Sequence, residues 1–150
     1  MKPFALIAAA AALLPFSAQA QTAVRHVAVP ASAPSPAGPN PPYSAAVMAG
    51  DTLYVSGSTD GGPAVAPTAK EAAKRVLDTV KRSVEAGGLT MDDLVWVQVF
   101  SADLADYPTF NEVYRTYFKG PLPARAYLGI DHLLGGAKFE VMGIAVRPKK

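Results

Sequence analysis

The chain has 150 residues, half of them hydrophobic, with 14 basic and 12 acidic residues and no cysteine. This length fits one domain that can bury its own core, so folding requires neither a disulfide framework nor a structural metal. The charge surplus is small and the basic residues are scattered among acidic ones, so nucleic acid is excluded as an expected partner.

The first 20 residues have the three-part layout of a secretory signal peptide. Lys2 is followed by an apolar run over residues 4–16 and by small residues at Ala18 and Ala20. The run is shorter than the roughly 20 residues that span a bilayer, which disfavours a retained membrane anchor. We predict cleavage after Ala20, a periplasmic or secreted protein, and no membrane partner for the mature chain. Loss of Lys2 lowers the formal charge from +2 to +1.

Residues 21–42 are predicted to form a proline-rich N-terminal arm and not a second domain. The run from Val24 to Val29 has a mixed pattern that allows a short edge strand. The segment after it is dense in proline, which cannot donate to a sheet ladder. The remaining residues, 43–150, are predicted to form the single folded domain.

The domain opens with a predicted hairpin followed by a long helix. Residues 43–48 and 52–56 form two β-type runs, and Gly50 between them supplies the positive φ of a tight turn. Thr68 with Glu71 is a capping-box signature, and apolar residues then recur on one helical face. This helix is predicted to end at the following Gly-Gly pair and to lie on the sheet with its charged face in water.

A strand, a second helix and two closing strands complete the pattern. The run 94–100 is apolar at nearly every position, as in a strand buried on both faces. Asp106 is the predicted N-cap of the second helix. The closing strands, 124–130 and 138–146, are predicted to pair across a Gly135-Gly136 turn. The apolar stripe of the second helix, at core spacing, is Phe110, Val113, Tyr114, Tyr117 and Phe118.

These elements predict an α+β domain with two helices on one face of a mixed sheet. The opposite sheet face still carries apolar residues such as Met142, Ile144 and Val146. A monomer would expose them to water, so we predict a homo-oligomer that buries this face.

Several kinds of site are excluded by residue type and spacing. His26 and His132 lie far apart in the sequence and cysteine is absent, so no metal site is predicted. Ser56 before Gly57 is a weak signal for a nucleophile, because no histidine or lysine nearby in the sequence would activate the hydroxyl.

Arg125 and Glu140 are the remaining candidates for chemistry. Strand alternation places Arg125 and Tyr127 opposite the apolar residues of the same strand, so Arg125 is expected on the face away from the helices. An arginine fork binds a carboxylate through two hydrogen bonds, and a carboxylate such as Glu140 can orient or deprotonate water. From spacing alone, a structural Arg125–Glu140 ion pair is at least as well supported.

A series of motifs resembles the Rid family of reactive-intermediate deaminases, also called YjgF-like or endoribonuclease L-PSP proteins. Each motif is short, but together and in this order they are specific, and they extend over essentially the whole predicted domain. The motifs are PYS at 42–44 with AV at 46–47, VSG at 55–57, LDTVKRSVEAG at 77–87, VQVFSADL at 97–104, FNEVY at 110–114, PAR at 123–125 and EVMGIAV at 140–146.

The resemblance implies a chorismate-mutase-like fold assembled as a homotrimer, with active sites in the clefts between subunits. It implies hydrolysis of a small carboxylate-bearing substrate, an enamine or imine acid such as 2-aminoacrylate, to a 2-keto acid and ammonia without a cofactor. In this pattern Arg125 binds the substrate carboxylate and Glu140 positions the hydrolytic water. The other residues expected to line the site are Tyr43, Ser56, Gly57, Asn111 and Tyr127.

The chain departs from the family pattern beside the expected site. Ser58 stands where glutamine is frequent, and Tyr127 stands where many members have cysteine. A ring at this position either narrows the pocket or stacks on an unsaturated substrate. The alternative function is a non-catalytic module of the same fold that binds small carboxylates or acts as a chaperone. A ribonuclease role ranks third, because a basic groove and a catalytic histidine arrangement are both lacking.

Overall fold

The computed structural model describes residues 23–28, 41–61 and 64–149. The predicted signal peptide and most of the predicted arm lie outside these residues. Within the described ranges, no helix has the length and apolar character of a membrane span. The elements in chain order are β1 (Val24–Val27), β2 (Ala46–Ala49), β3 (Thr52–Thr59), α1 (Ala69–Ala86), β4 (Leu94–Ser101), α2 (Tyr107–Arg115), β5 (Ala124–Gly129) and β6 (Phe139–Val146), with 3-10 turns at Met91–Asp93, Leu104–Asp106 and Leu134–Gly136.

The strands form one mixed sheet in the order β1-β2-β3-β6-β4-β5. The β2–β3 hairpin and the short edge strand β1 confirm the sequence predictions. The predicted pairing of the two closing strands is wrong, because β4 lies between β5 and β6. Strand β5 pairs in parallel with β4, which requires the crossover that α2 supplies, and β6 then lies antiparallel to both β3 and β4.

The core lies between the sheet and the two helices, as predicted. Helix α1 begins at Thr68, whose side chain accepts a hydrogen bond from the Glu71 amide at 3.1 Å, and ends before Gly88, which has a φ of 81°. Its apolar face is buried on the sheet. The buried residues of α1 are Ala72, Ala73, Val76, Leu77, Val80, Ser83 and Val84.

Helix α2 begins and ends differently from its prediction. Asp106 occupies the N-cap position but makes no side-chain capping bond. Asp103 accepts a hydrogen bond from the Ala105 amide at 2.9 Å instead, which caps the preceding 3-10 turn. The aromatic stripe does pack on the core, but the helix ends at Arg115, so Tyr117 and Phe118 pack from beyond its last turn.

The sheet face away from the helices, which we call the open face, carries partly exposed apolar side chains. Strand β4 alternates between buried Val97 and Val99 under the helices and half-buried Trp96 and Phe100 on the open face. The prediction that this strand is buried on both faces is therefore wrong for a single chain. Tyr54, 51% exposed, extends the same apolar surface onto β3.

Asp60, directly after β3, is a buried carboxylate that holds the start of β6. Its Oδ1 accepts hydrogen bonds from the backbone amides of Lys138 and Phe139, both at 2.7 Å. Its Oδ2 is buried without a hydrogen-bond partner. Because Glu140 follows Phe139, Asp60 fixes the part of β6 that carries a candidate catalytic residue.

Replacing Asp60 with alanine should lower the free energy of unfolding by about 1–3 kcal/mol, because two amides at the start of β6 lose their acceptor. Urea denaturation of the purified protein measures this loss. Asp60→Asn is the matched control, since it keeps one oxygen acceptor and replaces the unpaired oxygen with a donor. An equal loss in both variants would contradict the role of Oδ1.

Candidate functional site

Arg125 lies on β5 beneath α2, on the helix-covered face of the sheet. In the parallel register it stands opposite Val97, which is buried in the core. Its Nη2 donates a hydrogen bond to Asn111 Oδ1 on α2 at 2.7 Å. The prediction that Arg125 points away from the helices is therefore wrong.

Arg125 and Tyr127 lie on the helix-covered face because of the residues that surround β5 on each side of the sheet. The open face is itself apolar, and Leu128 lies on it with 41% of its surface exposed. Apolar residues therefore occur on the open face of β5, and their alternation along the strand does not identify the face that packs on the core. On the helix side, α2 presents aromatic rings. A guanidinium and a tyrosine ring both pack favourably on such rings, which explains the placement of Arg125 and Tyr127.

The Arg125 guanidinium has four aromatic neighbours and, within the described part of the chain, no counter-ion. None of the ion pairs found among the described residues includes Arg125. Its Nη1 is buried without a hydrogen-bond partner. Ring faces attract a cation but accept no charge-assisted hydrogen bond of the kind that a carboxylate accepts. The distances from Cζ to the ring centroids are 4.6 Å for Tyr114, 5.6 Å for Tyr127, 5.7 Å for Tyr107 and 6.0 Å for Phe110.

Tyr127 belongs to an aromatic layer between β5 and α2. Its ring lies 4.8 Å from the Tyr107 ring in an edge-to-face arrangement and 5.5 Å from the Phe110 ring. Burial raises the pKa of this phenol, and the neighbouring Ser101 side chain opposes the shift. Packing on both sides fixes the ring in place, so it forms one wall of the space beside Arg125.

Tyr107 is a residue of this group that the sequence reasoning missed. The Asn111 side chain, and then the positive charge of Arg125, lower the pKa of the Tyr107 phenol. By contrast, burial raises the pKa of Tyr114 to about 12. A signal for Tyr107 was present, because it precedes Asn111 by four residues and therefore shares its helix face. We call Arg125, Asn111, Tyr107 and Tyr127 the arginine half of the site.

Glu140 lies on β6 and points to the open face. Its neighbours Phe139 and Val141 are fully buried under the helices, so alternation places Glu140 on the other side of the sheet. Arg125 and Glu140 therefore lie on opposite faces of one chain. The alternative of a structural ion pair between them is wrong, and no ion pair among the described residues includes Glu140.

A β-bulge in β3 makes room for the Glu140 carboxylate. The β3–β6 register shifts between Val55 and Ser58, so Ser56 and Gly57 together stand opposite Met142. A Cβ atom at Gly57 would clash with Glu140 Oε1 and would lie 3.4 Å from Met142 Cε. The absence of a side chain at Gly57 is thus what allows the carboxylate to lie against the bulge.

Hydrogen bonds at the same bulge connect β3 to the two residues that follow Tyr43. Ser56 Oγ donates a hydrogen bond to the Ser44 carbonyl at 2.7 Å, and the Ser56 amide donates to the Ala45 carbonyl at 3.1 Å. Tyr43, 43% exposed, precedes Ser44. We call Tyr43, Ser56, Gly57 and Glu140 the glutamate half of the site. The structure thus places Arg125 and Glu140, each with the residues that contact it, on different faces of the sheet.

Gly57→Ala should reduce any turnover that depends on Glu140 by about tenfold or more with little loss of stability, because the new methyl group displaces the Glu140 carboxylate. The required movement is of the order of 1 Å, enough to cost about 100-fold in a positioned site. Steady-state kinetics measure the effect. Gly61→Ala is the control, since among the described residues its Cβ would meet the Thr59 hydroxyl at 3.1 Å and would not approach Glu140. Unchanged kinetics in Gly57→Ala would contradict the role of Gly57 in making room for the Glu140 carboxylate.

The described residues contain no group of three or more histidine, cysteine, aspartate or glutamate side chains that could hold a metal ion. The chemistry available to the described site is therefore that of an arginine, a carboxylate, an amide and phenols. Such groups bind carboxylates, orient water and transfer protons.

The sequence and the structure are both similar to known proteins. A family model described as endoribonuclease L-PSP matches residues 31–147. The 2-iminobutanoate/2-iminopropanoate deaminase of Mus musculus is 36% identical over 128 residues, which cover 83% of this chain and 93% of that protein. The human protein of the same name is 34% identical over 128 residues, covering 83% of this chain and 91% of that protein.

Solved structures show the same fold. The YjgF gene product of E. coli has a TM-score of 0.74 and 31% identity, covering 83% of this chain and 99% of that one. E. coli TdcF with bound serine has a TM-score of 0.72 and 30% identity, covering 83% and 100%. These matches confirm the predicted YjgF-like mixed sheet with two helices. The chain belongs to the endoribonuclease L-PSP family, the YjgF-like or Rid family whose motifs its sequence carries.

Proposed function

We propose that this chain is a cofactor-free deaminase that hydrolyses enamine and imine acids of the 2-aminoacrylate and 2-iminopropionate type to 2-keto acids and ammonia. The observation that carries the proposal is Arg125, a half-buried cation without a counter-ion among the described residues, in contact with Asn111 and aromatic rings. The names of the relatives at about 35% identity support the same reaction.

The substrate carboxylate pairs with the Arg125 guanidinium, which the Asn111 side chain orients through Nη2. The solved structure of one similar protein, E. coli TdcF, has bound serine, an amino acid that carries a carboxylate. The surrounding rings limit water around the ion pair, which strengthens the electrostatic attraction. Binding of this kind fixes the imine carbon at a defined distance from the arginine.

Glu140 holds the water that attacks this carbon. The water oxygen bonds to the imine carbon while the carboxylate accepts one of its protons. Glu140 then returns that proton to the nitrogen, the hydroxyl proton follows, the carbon–oxygen double bond forms and ammonia leaves as the carbon–nitrogen bond breaks. Because the substrate is already reactive, positioning supplies much of the rate gain.

The two halves of the site meet only if two chains contribute. Arg125 and Glu140 point to opposite faces, so a single chain does not bring both to one substrate. Strand β5 is an edge strand, which leaves the arginine half accessible from the side of the sheet. In the homotrimer that we propose, the open face of one chain packs against its neighbour, and each cleft combines one arginine half with one glutamate half.

The proposal includes export. Residues 1–20 carry the signal-peptide pattern, and we place the mature protein in the periplasm or outside the cell. The substrate at that location is an imine or enamine acid released by a reaction that oxidises or eliminates an amino acid.

Turnover of 2-iminopropionate tests the proposed function. An L-amino-acid oxidase acting on L-alanine generates the imine, with catalase present to remove peroxide, and the rate of pyruvate release is compared with and without the purified protein. We expect clear acceleration over buffer. No acceleration would reject the deaminase. Calorimetric binding of small carboxylates without turnover would favour the alternative, a non-catalytic carboxylate-binding protein.

A further inference from the structure

The aromatic layer around Arg125 continues from the core to the surface. Phe110 is fully buried, and its ring lies 5.8 Å from the Tyr114 ring and 5.5 Å from the Tyr127 ring. Tyr127 in turn contacts Tyr107, which is 44% exposed. Tyr107 is therefore the most exposed ring of this layer.

The exposed ring lies beside the anchoring cation. The Arg125 Cζ is 5.7 Å from the Tyr107 ring centroid and 5.6 Å from the Tyr127 centroid. An α-imino acid carries its side chain on the carbon next to the carboxylate. If Arg125 holds that carboxylate, the side chain is attached one carbon away from a cation whose aromatic neighbours include these two rings.

Substrate side chains differ in how much of the exposed ring surface they can cover. A methyl group covers little of the exposed Tyr107 ring, so most of it stays in water. A planar aromatic side chain covers more apolar area and adds the ring–ring attraction of an offset or edge-to-face pair.

We propose that Tyr107 is a substrate-contacting residue and that, with Tyr127, it gives the site a preference for imine acids with aromatic side chains over those with short aliphatic ones. The inference rests on the proposed deaminase function and names the substrate class within it. Tyr107 acts through its ring, with Tyr127 holding that ring in place.

Two imines test the preference. An L-amino-acid oxidase generates one from L-phenylalanine and the other from L-alanine, and kcat/KM is measured for each from the release of the 2-keto acid. For the wild-type protein we expect about a tenfold higher value with the phenylalanine-derived imine, since a ring–ring contact contributes up to about that factor. The rate without the deaminase is subtracted for each imine.

Three variants distinguish the effect of the Tyr107 ring from the effect of its hydroxyl and from a general effect on the fold. Tyr107→Ala should lower kcat/KM about tenfold for the phenylalanine-derived imine and less than about twofold for the alanine-derived one. Tyr107→Phe, which keeps the ring, should retain the preference. Glu112→Ala, an exposed change on the same helix, is the matched control and should leave both values unchanged.

The outcomes distinguish this inference from the function on which it rests. If neither imine is hydrolysed faster than in buffer, the deaminase itself is rejected, and the preference with it. If both are hydrolysed but the wild type shows no preference for the aromatic imine, only the specificity inference is overturned. An equal fall for both imines in Tyr107→Ala would also overturn it, because the ring would then act on the carboxylate site and not on the side chain.

Discussion

Replacing Arg125 with alanine is expected to reduce turnover of 2-iminopropionate severely while the domain stays folded. The guanidinium is the cation available to the substrate carboxylate in the arginine half, and removing one partner of a charge-assisted pair costs about 2–5 kcal/mol. This corresponds to a loss of roughly 30-fold to several thousand-fold in kcat/KM. Steady-state kinetics measure the loss, and circular dichroism and the melting temperature report on the fold.

Two further variants make this result specific. Arg125→Lys keeps the charge but not the planar fork, so we expect intermediate activity. Arg115→Ala removes an exposed arginine from the last turn of the same helix that carries Asn111 and should leave activity unchanged. Wild-type kinetics in Arg125→Ala would refute the role of Arg125 in binding the substrate.

Mixing two inactive variants is expected to restore activity. Arg125→Ala keeps an intact glutamate half, and Glu140→Gln keeps an intact arginine half. If each site combines the arginine half of one chain with the glutamate half of the next around a trimer, co-expression produces some sites with both residues intact. Random mixing gives about three quarters mixed trimers, each with one intact site, so about one quarter of wild-type activity returns.

Differential affinity tags on the two variants allow the mixed trimers to be purified and assayed separately. Each parent variant alone provides the background rate. Mixed oligomers without activity would show that one chain holds a complete site, which would contradict the division of Arg125 and Glu140 between subunits. A monomeric mass by light scattering at micromolar concentration would refute the trimer directly.

Features set by neighbouring residues in the sequence were predictable. Thr68 and the Gly-Gly pair mark the ends of α1 because capping depends on residues within a few positions. The β2–β3 hairpin follows from Gly50, whose φ is 60°. The aromatic stripe of α2 packs on the core because helical periodicity alone places those rings on one face.

Features that depend on residues far apart in the sequence could not be predicted. The facing of Arg125 is decided by the rings of α2 and by the apolar character of the open face, and neither can be read from alternation along β5. The insertion of β6 between β3 and β4 requires contacts far apart in the sequence. The sequence indicates only that Asp60 lies in a loop, because its hydrogen bonds to the Lys138 and Phe139 amides join residues far apart in the sequence. The motifs named Arg125 and Glu140 as candidates but could not show that one chain separates them.

Strand β1 has a consequence for the solubility of the protein. It pairs with β2 along residues 46–49, and Arg25 Nη2 donates a hydrogen bond at 2.9 Å to the Gly87 carbonyl at the end of α1, which fastens the strand in place. Without β1, the backbone groups of β2 would form an uncovered sheet edge, and such an edge is a template for pairing with other chains. The short arm strand therefore covers the edge of β2, while β5 remains an edge strand at the other end of the sheet.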